Sequence, residues 1–261
     1  MTPVISFLSD YGLRDPYVGE MKARILRLLP DARFVDLTHA IPAGDVAAGA
    51  FLLSRAWGAF ETGSVHLAVV DPGVGTSRPA LAVRADGHWF VGPDNGLLSL
   101  AAAVPDVVYR LDPERVAAGE GMSATFHGRD LFAPAAARIA LGEDPSGFAV
   151  SAPSMVGLEP MVEIIDQSLF GEVLWIDHFG NAITAIGEEQ IRDLDPSVEI
   201  RVAGVRVREL HSTFGDVEPL TPLAYIGSAG TLELAVRDGD LSERFGVYRG
   251  ARVEIRPARK D

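Results

Sequence analysis

The residues Val69–Leu81 read VVDPGVGTSRPAL. An apolar run ends in Asp71, turns through Pro72-Gly73-Val74-Gly75 and reaches Arg78 seven positions after the carboxylate. Opposite charges across a glycine turn make either a local salt bridge or a pair held together to act on a third group. Three more segments share this texture of polar side chains and glycine beside an apolar run: LSDYG (8–12), TFHGRD (125–130) and IDHFGN (176–181). Glycine in such places lets backbone approach a ligand closely. One segment alone reads as turn chemistry, whereas four in one chain point to a site.

Several chemistries are disfavoured by the residues present. Cysteine is absent, which removes disulfides, thiolate metal ligands and a cysteine nucleophile. The GVG of 73–75 completes neither a dinucleotide fingerprint nor a phosphate loop with its lysine. No serine sits in a nucleophile elbow. Asp10, Asp71, Asp94, His127 and Asp177 could supply oxygen and nitrogen ligands, but no histidine pair has ligand spacing and Arg78 and Arg129 would repel a cation. No metal is therefore expected. His39, His66 and His88 read as structural or solvated.

The elements that must position these groups follow from periodicity. Residues 4–8, 32–37, 64–70, 80–83, 88–92 and 107–111 read as strands, with Asp86-Gly87 as a hairpin turn. Helices are expected from Pro16, over 45–57, over 96–104 and over 130–142. The alternation predicts a doubly wound, mostly parallel sheet covered on both faces, with function beyond the carboxyl ends of its strands. Asp10 and Asp71 both fall there. Residues 143–162 are rich in proline, serine and glycine and break the pattern. Beyond them strands dominate, at 171–177, 197–210, 222–228, 231–237 and 251–257, which fits a small antiparallel barrel. The organisation expected is an α/β domain over 1–150, a linker over 151–165 and a β-barrel domain over 166–261.

The 261 residues carry a formal net charge of −13, a field that disfavours nucleic acid and acidic membranes as partners. The N-terminus lacks the basic and apolar regions of a signal peptide, and no apolar run approaches the roughly 20 residues that span a bilayer. A cytoplasmic protein with a small-molecule substrate is expected.

Taken together, SDYG, DLTHAIPAGDVAAGAFLL, VVDPGVGTSR, FVGPDNGLLS, TFHGRD, IDHFGNAITAI and GSAGTLELAV resemble the S-adenosyl-L-methionine (SAM) hydroxide adenosyltransferases, relatives of the SAM-dependent fluorinase and chlorinase. The resemblance implies an N-terminal α/β domain, a C-terminal β-barrel and a homotrimer with sites at subunit interfaces. It implies hydrolysis of SAM to adenosine and L-methionine, with SAM as substrate and no cofactor. The family's Asp-Arg-His triad falls on Asp71, Arg78 and His127. Halogenating relatives carry tyrosine and other residues at the positions of Asp71 and His127, and the fluorinase has an insertion absent here. The alternatives are a SAM-dependent halogenase and a SAM- or adenosine-binding protein with little turnover.

By the same resemblance Asp10 would accept from the ribose hydroxyls, and Asp177 and Ser228 would hold the methionine end. Asn181 would read the adenine edge with Phe179 against the ring, and Tyr225 and Glu233 complete the candidate binding set. Glu233 has an equally good reading as an exposed strand residue. Gly227 stands where relatives tend to carry Asn.

Overall fold

The computed structural model describes residues 4–158, 162–192 and 198–257. They form two compact units, the first running through Leu158.

The first unit is built in the order β1 (Val4–Ser9), α1 (Tyr17–Leu28), β2 (Arg33–Thr38), α2 (Val46–Ala56), β3 (Val65–Val69), β4 (Ala80–Ala85), β5 (His88–Pro93), β6 (Val107–Leu111), α3 (Pro113–Ala117), α4 (Ala133–Ala140) and β7 (Ala149–Ala152). Its sheet has the order β2-β1-β3-β5-β4-β6-β7. The pairs β2-β1, β1-β3 and β3-β5 are parallel, and β5-β4, β4-β6 and β6-β7 are antiparallel. The mostly parallel arrangement expected from sequence thus describes one half of a mixed sheet, and that half carries the polar loops. The antiparallel half starts at the Asp86-Gly87 hairpin, because a two-residue turn can only reverse the chain.

Period-two side-chain alternation divides the sheet into two faces. Ile5, Phe7, Val65, Leu67 and Val69 pack with Met21 and Ile25 of α1 and with α4. On the other face α2 lies by Gly49 against Leu8 and Val70. Asp45 caps α2 by accepting from the Ala48 N–H at 3.0 Å. Both faces are covered, as expected for a doubly wound unit.

Residues 96–104, expected as a helix, form successive turns instead. Asn95 accepts from the Leu97 N–H at 3.2 Å and Gly96 takes a positive φ of 97°. The left-handed conformation of Gly96 takes the chain off the helical path at its start, and Pro105 ends the run. Leu97, Leu98, Ala101 and Ala102 are buried all the same. The segment expected as a linker, 151–165, contributes Ser151 and Ala152 to β7 and Glu163–Ile165 to the second unit; residues 159–161 of it lie outside the described residues.

The second unit comprises β8 (Glu163–Ile165), β9 (Ser168–Ile176), β10 (Ala182–Gly187), α5 (Glu188–Arg192), β11 (Val198–Val202), β12 (Val205–Val207), β13 (Leu210–His211), β14 (Pro222–Ile226), β15 (Thr231–Val236), α6 (Leu241–Phe245) and β16 (Arg252–Pro257). The path β12-β11-β16-β9-β10-β15-β14-β13 curls at β9. The first half of β9 pairs with β16 and its second half with β10. One long bent strand shared in this way gives the unit its nearly barrel-like form around Leu169, Val173, Leu232, Leu234, Val253 and Ile255. Of the stretch 197–210, read as a single strand, residues 198–207 form a hairpin that turns at Ala203 and Gly204, both with positive φ, Leu210 opens β13, and residue 197 lies outside the described residues. Strand β10 was not anticipated, because its mixed NAITAIG pattern lacks clean alternation.

Candidate active site

The loop after β3 holds Asp71 and Arg78 together. Arg78 Nε donates to Asp71 Oδ1 at 2.7 Å, and Nη2 donates to Asp71 Oδ2. Nη1 donates to the Pro79 carbonyl at 2.8 Å, and the guanidinium lies 5.1 Å from the Phe132 ring centroid. The turn closes this tightly through Gly75. Its φ is +78°, and a Cβ there would stand 2.7 Å from the Ala124 carbonyl oxygen. Asn95 pins the strand end by donating to the Val70 carbonyl at 2.9 Å. Both charged side chains are almost fully buried, which excludes the screening that makes surface ion pairs weak.

His127 joins them from the other side of the chain. Arg78 Nη2 lies 3.2 Å from His127 Nδ1. His127 directly precedes the π-turn Gly128–Phe132, a one-turn irregularity often found at functional sites. Asp130 fixes this turn by accepting from the Ser123 N–H at 2.9 Å and pairing with Arg129. Burial and then the neighbouring Arg78 cation push the His127 imidazole below its ordinary value, against the opposing pull of Asp71 and Asp130. The imidazole is therefore neutral at neutral pH. A guanidinium only donates, so Nδ1 is the acceptor and the proton sits on Nε2.

Asp10 emerges from β1 next to Asp71, across a cavity of about 690 Å³. Its walls include Tyr11, Tyr17, Gly44, Pro72 and Phe126 beside the two aspartates. Asp10 Oδ2 accepts from the Gly44 N–H at 2.8 Å. Burial raises the Asp10 carboxyl, with the Gly44 bond opposing and the Asp71 charge adding to the rise. Burial likewise raises the Tyr11 phenol. Tyr11, Tyr17 and Phe126 form a ring cluster with centroids 5.4–5.9 Å apart. Sequence reasoning named the segments that contain Tyr11 and Phe126 but not these side chains. Three aromatics at unrelated sequence positions carry no local signal of meeting at one wall.

In the second unit Asp177 organises its own loop. Its Oδ1 accepts from the Phe179 and Asn181 N–H groups, each at 2.9 Å, and Asn181 Nδ2 donates to Oδ2 at 2.9 Å. Asn181 is buried and Phe179 is 72% exposed. Across the sheet Tyr225 donates its hydroxyl to Glu233 Oε2 at 2.8 Å. Glu233 is only 6% exposed, so the reading as an exposed strand face is set aside. The residue at 227 has a reason to be glycine: a Cβ there would lie 2.0 Å from Glu233 Oε1. Ser228 follows directly in the turn to β15. The structure thus gathers Asp10, Asp71, Arg78 and His127 in the first unit, and Asp177, Phe179 and Asn181 on one loop of the second. Tyr225 and Glu233 pair on neighbouring strands.

A mixed α/β unit with a carboxylate, a guanidinium and an imidazole in contact at its strand ends, followed in sequence by a barrel-like unit, is the architecture on which the class of enzyme is read. Comparison with known proteins makes the class specific. Residues 5–149 match the family model of the SAM hydroxide adenosyltransferase N-terminal domain, and residues 171–254 match that of its C-terminal domain. An (R)-S-adenosyl-L-methionine hydrolase of Thermus thermophilus is 44% identical, covering 98% of this chain and 100% of its own. One from Salinispora tropica is 43% identical, covering 97% and 98%. A fluorinase of Nocardia brasiliensis is 27% identical over 97% of each chain. The crystal structure of an uncharacterized conserved protein from Thermotoga maritima superposes with a TM-score of 0.88 at 34% identity, covering 97% of this chain and 100% of that one. The chain belongs to the SAM hydroxide adenosyltransferase family.

Proposed function

We propose that the protein hydrolyses (R)-S-adenosyl-L-methionine to adenosine and L-methionine, with Asp71, Arg78 and His127 handling the attacking water. The near-full-length similarity to proteins named as (R)-SAM hydrolases supports the reaction. The observation that carries the chemistry is the Asp71–Arg78–His127 contact beside the cavity.

In the reaction, the water oxygen forms a bond to ribose C5′ as the C5′–S bond breaks. The electron pair of that bond goes to sulfur, which turns a sulfonium into a neutral thioether and needs no acid. The difficulty lies in the nucleophile, since bulk water gives up its proton only far above neutral pH. Arg78 cannot take a proton, and Nδ1 of His127 is occupied by Arg78. Asp71 keeps lone pairs beyond the two used by Arg78, so it is the acceptor of the water proton. His127 contributes its Nε2–H as a donor to the water oxygen and orients it. Holding water in line with the C–S bond supplies up to roughly 7–11 kcal/mol in the most favourable intramolecular cases. Hydroxide character meeting a sulfonium annihilates charge, so a site that excludes bulk water assists the step.

Asp10, with its carboxylate beside the cavity, binds the ribose 2′ and 3′ hydroxyls. Asp177 and Ser228 hold the methionine end. Asn181, with its amide anchored on Asp177, presents its remaining polar atoms to the adenine edge, and the exposed Phe179 ring packs on the base. Tyr225 and Glu233 shape the same end. A cytoplasmic homotrimer, with sites completed between subunits, is part of this reading and rests on the resemblance. The test is incubation with each sulfonium epimer of SAM and identification of products by mass. Catalytic adenosine and methionine from the (R) epimer support the reading. A 5′-halo-adenosine formed only with halide, or adenosine released in stoichiometric amount, overturns it.

A further inference from the structure

A chain of polar groups behind the Asp10 loop, buried at Ser9 and His39 and reaching the surface at Asp36, is not used by the mechanism above. Ser9 Oγ lies 2.8 Å from His39 Nδ1, and His39 Nε2 lies 3.1 Å from Asp36 Oδ1. Lys22 Nζ donates to Asp36 Oδ2 at 2.6 Å. Ser9 is 0% and His39 5% exposed. The sequence order of types invites comparison with a hydrolytic Ser-His-Asp triad, but the geometry rejects it. Serine contacts Nδ1 rather than Nε2, and a fully buried Oγ reaches no substrate.

The direction of each bond can be assigned. Burial alone would raise the Asp36 carboxyl, and the hydrogen bonds from Lys22 and His39 overcome it and hold it below its ordinary value. An ionised Asp36 offers only lone pairs to His39 Nε2, which lies near it without good hydrogen-bond alignment, so Nε2 carries the proton and Nδ1 accepts from the Ser9 hydroxyl. The Ser9 oxygen in turn faces the Tyr11 backbone N–H at 3.4 Å. The His39 carbonyl accepts from the Gly12 N–H at 2.7 Å. Ser9 and His39 therefore hold the backbone on the carboxyl side of Asp10 at Tyr11 and Gly12. The β1-β2 register slips between Phe7 and Leu8, where the partners jump from Asp36 to Thr38. A bulge of this kind re-aims side chains near a site, and here it stands next to His39. The Phe7 ring meets the imidazole edge-on at 4.7 Å.

We propose that Ser9 and His39, anchored on Asp36, are positioning residues that fix the Asp10 loop for the ribose diol. The proposal rests on the ribose role given to Asp10 above. Its effect is on substrate binding, since the relay touches neither Asp71 nor the reacting atoms.

Half-variants separate the two ends of the imidazole. An asparagine amide reaches the place of Nδ1 and a glutamine amide that of Nε2. His39→Asn keeps an acceptor for Ser9, whereas His39→Gln keeps only the link to Asp36. Steady-state kinetics with SAM should show Ser9→Ala and His39→Gln raising KM about tenfold, the loss of one to two hydrogen bonds, with kcat within about twofold. His39→Asn should stay nearer the wild type. In an Asp10→Ala background neither Ser9→Ala nor His39→Gln should raise KM further, because both act through Asp10. Unchanged KM, or losses that fall on kcat or add fully to Asp10→Ala, would overturn the relay. Calorimetric binding of adenosine reads the same order without turnover, so an enzyme that bound adenosine but released none from SAM would fail the hydrolase reading alone. Wild-type protein that bound no adenosine would overturn both.

Discussion

Arg78 Nη2 lies 3.2 Å from His127 Nδ1 while the same guanidinium clamps both oxygens of Asp71. One cation thus contacts two other groups: it fills the Nδ1 lone pair of His127 and clamps the carboxylate of Asp71. The glycine turn 73–75 exists to bring that cation back to the end of β3. Losing Arg78 would leave Asp71 buried without its partner, a situation that costs several kcal/mol in general.

Asp71→Asn should lower kcat by about 10²–10⁴-fold, the range for removing a general base, while SAM affinity changes far less. The comparison is kcat from adenosine release against Kd from calorimetry. Equal losses in both would remove Asp71 from the proton transfer.

Arg78→Lys keeps the charge but not the fork that reaches Asp71 and His127 together. It should lower kcat by about 10-fold or more, of the order of one charged hydrogen bond. Near wild-type kcat for this variant would show that charge alone suffices.

The pH dependence follows from His127. Its pKa is lowered, so the neutral form persists below the ordinary imidazole value of about 6.5. Protonating Nδ1 would set one N–H against another from Arg78. Activity is therefore retained through neutrality and lost as pH falls through the depressed value, with the acid limb below about 6.5. A kcat–pH profile with its acid limb above neutrality would contradict this.

Stability has its own acid limb, in the first unit's core. Burial, then the neighbouring His88, push His66 down to about 3, and its ring is held between Ser6 Oγ at 2.7 Å and His88 at 3.2 Å. A folded pKa below the unfolded one gives stability that is present above about 6.5 and lost as pH falls toward 3. Over the whole range from about 6.5 to about 3 the total is roughly 5 kcal/mol. Denaturant melts from pH 7 to 4 should show this slope, and His66→Leu should flatten it. An unchanged slope in the variant would assign the acid sensitivity elsewhere.

Gly227→Ala should cost about 1–3 kcal/mol by overpacking against Glu233. Glu233→Ala in the same chain should recover part of that loss. Thermal melts of the two singles and the double check it, and strict additivity would show that the two positions do not collide.

Much of this was legible in sequence because local pattern and local physics agree there. Residues 4–8 and 64–70 read as strands, Asp86-Gly87 as a hairpin, and Asp71 and Arg78 as a pair across a turn. The helix expected at 96–104 failed because Gly96 leaves the right-handed region at its start and Pro105 ends the run, although its leucines are buried as their pattern implies. The hairpin at Ala203-Gly204 was hidden by a continuous valine pattern on both sides. The Tyr11–Tyr17–Phe126 wall and the Ser9–His39–Asp36 chain depend on side chains meeting across elements, for which no spacing rule exists. The burial of Glu233 against Gly227 belongs to the same kind.

The central claim is that water attacks ribose C5′ and displaces methionine. Turnover of SAM in 18O-enriched water, followed by mass spectrometry of both products, tests it most directly. The account expects one 18O in the 5′-hydroxyl of adenosine, unlabelled L-methionine, and many turnovers per enzyme. Unlabelled adenosine, or cleavage at any bond other than C5′–S, would contradict it.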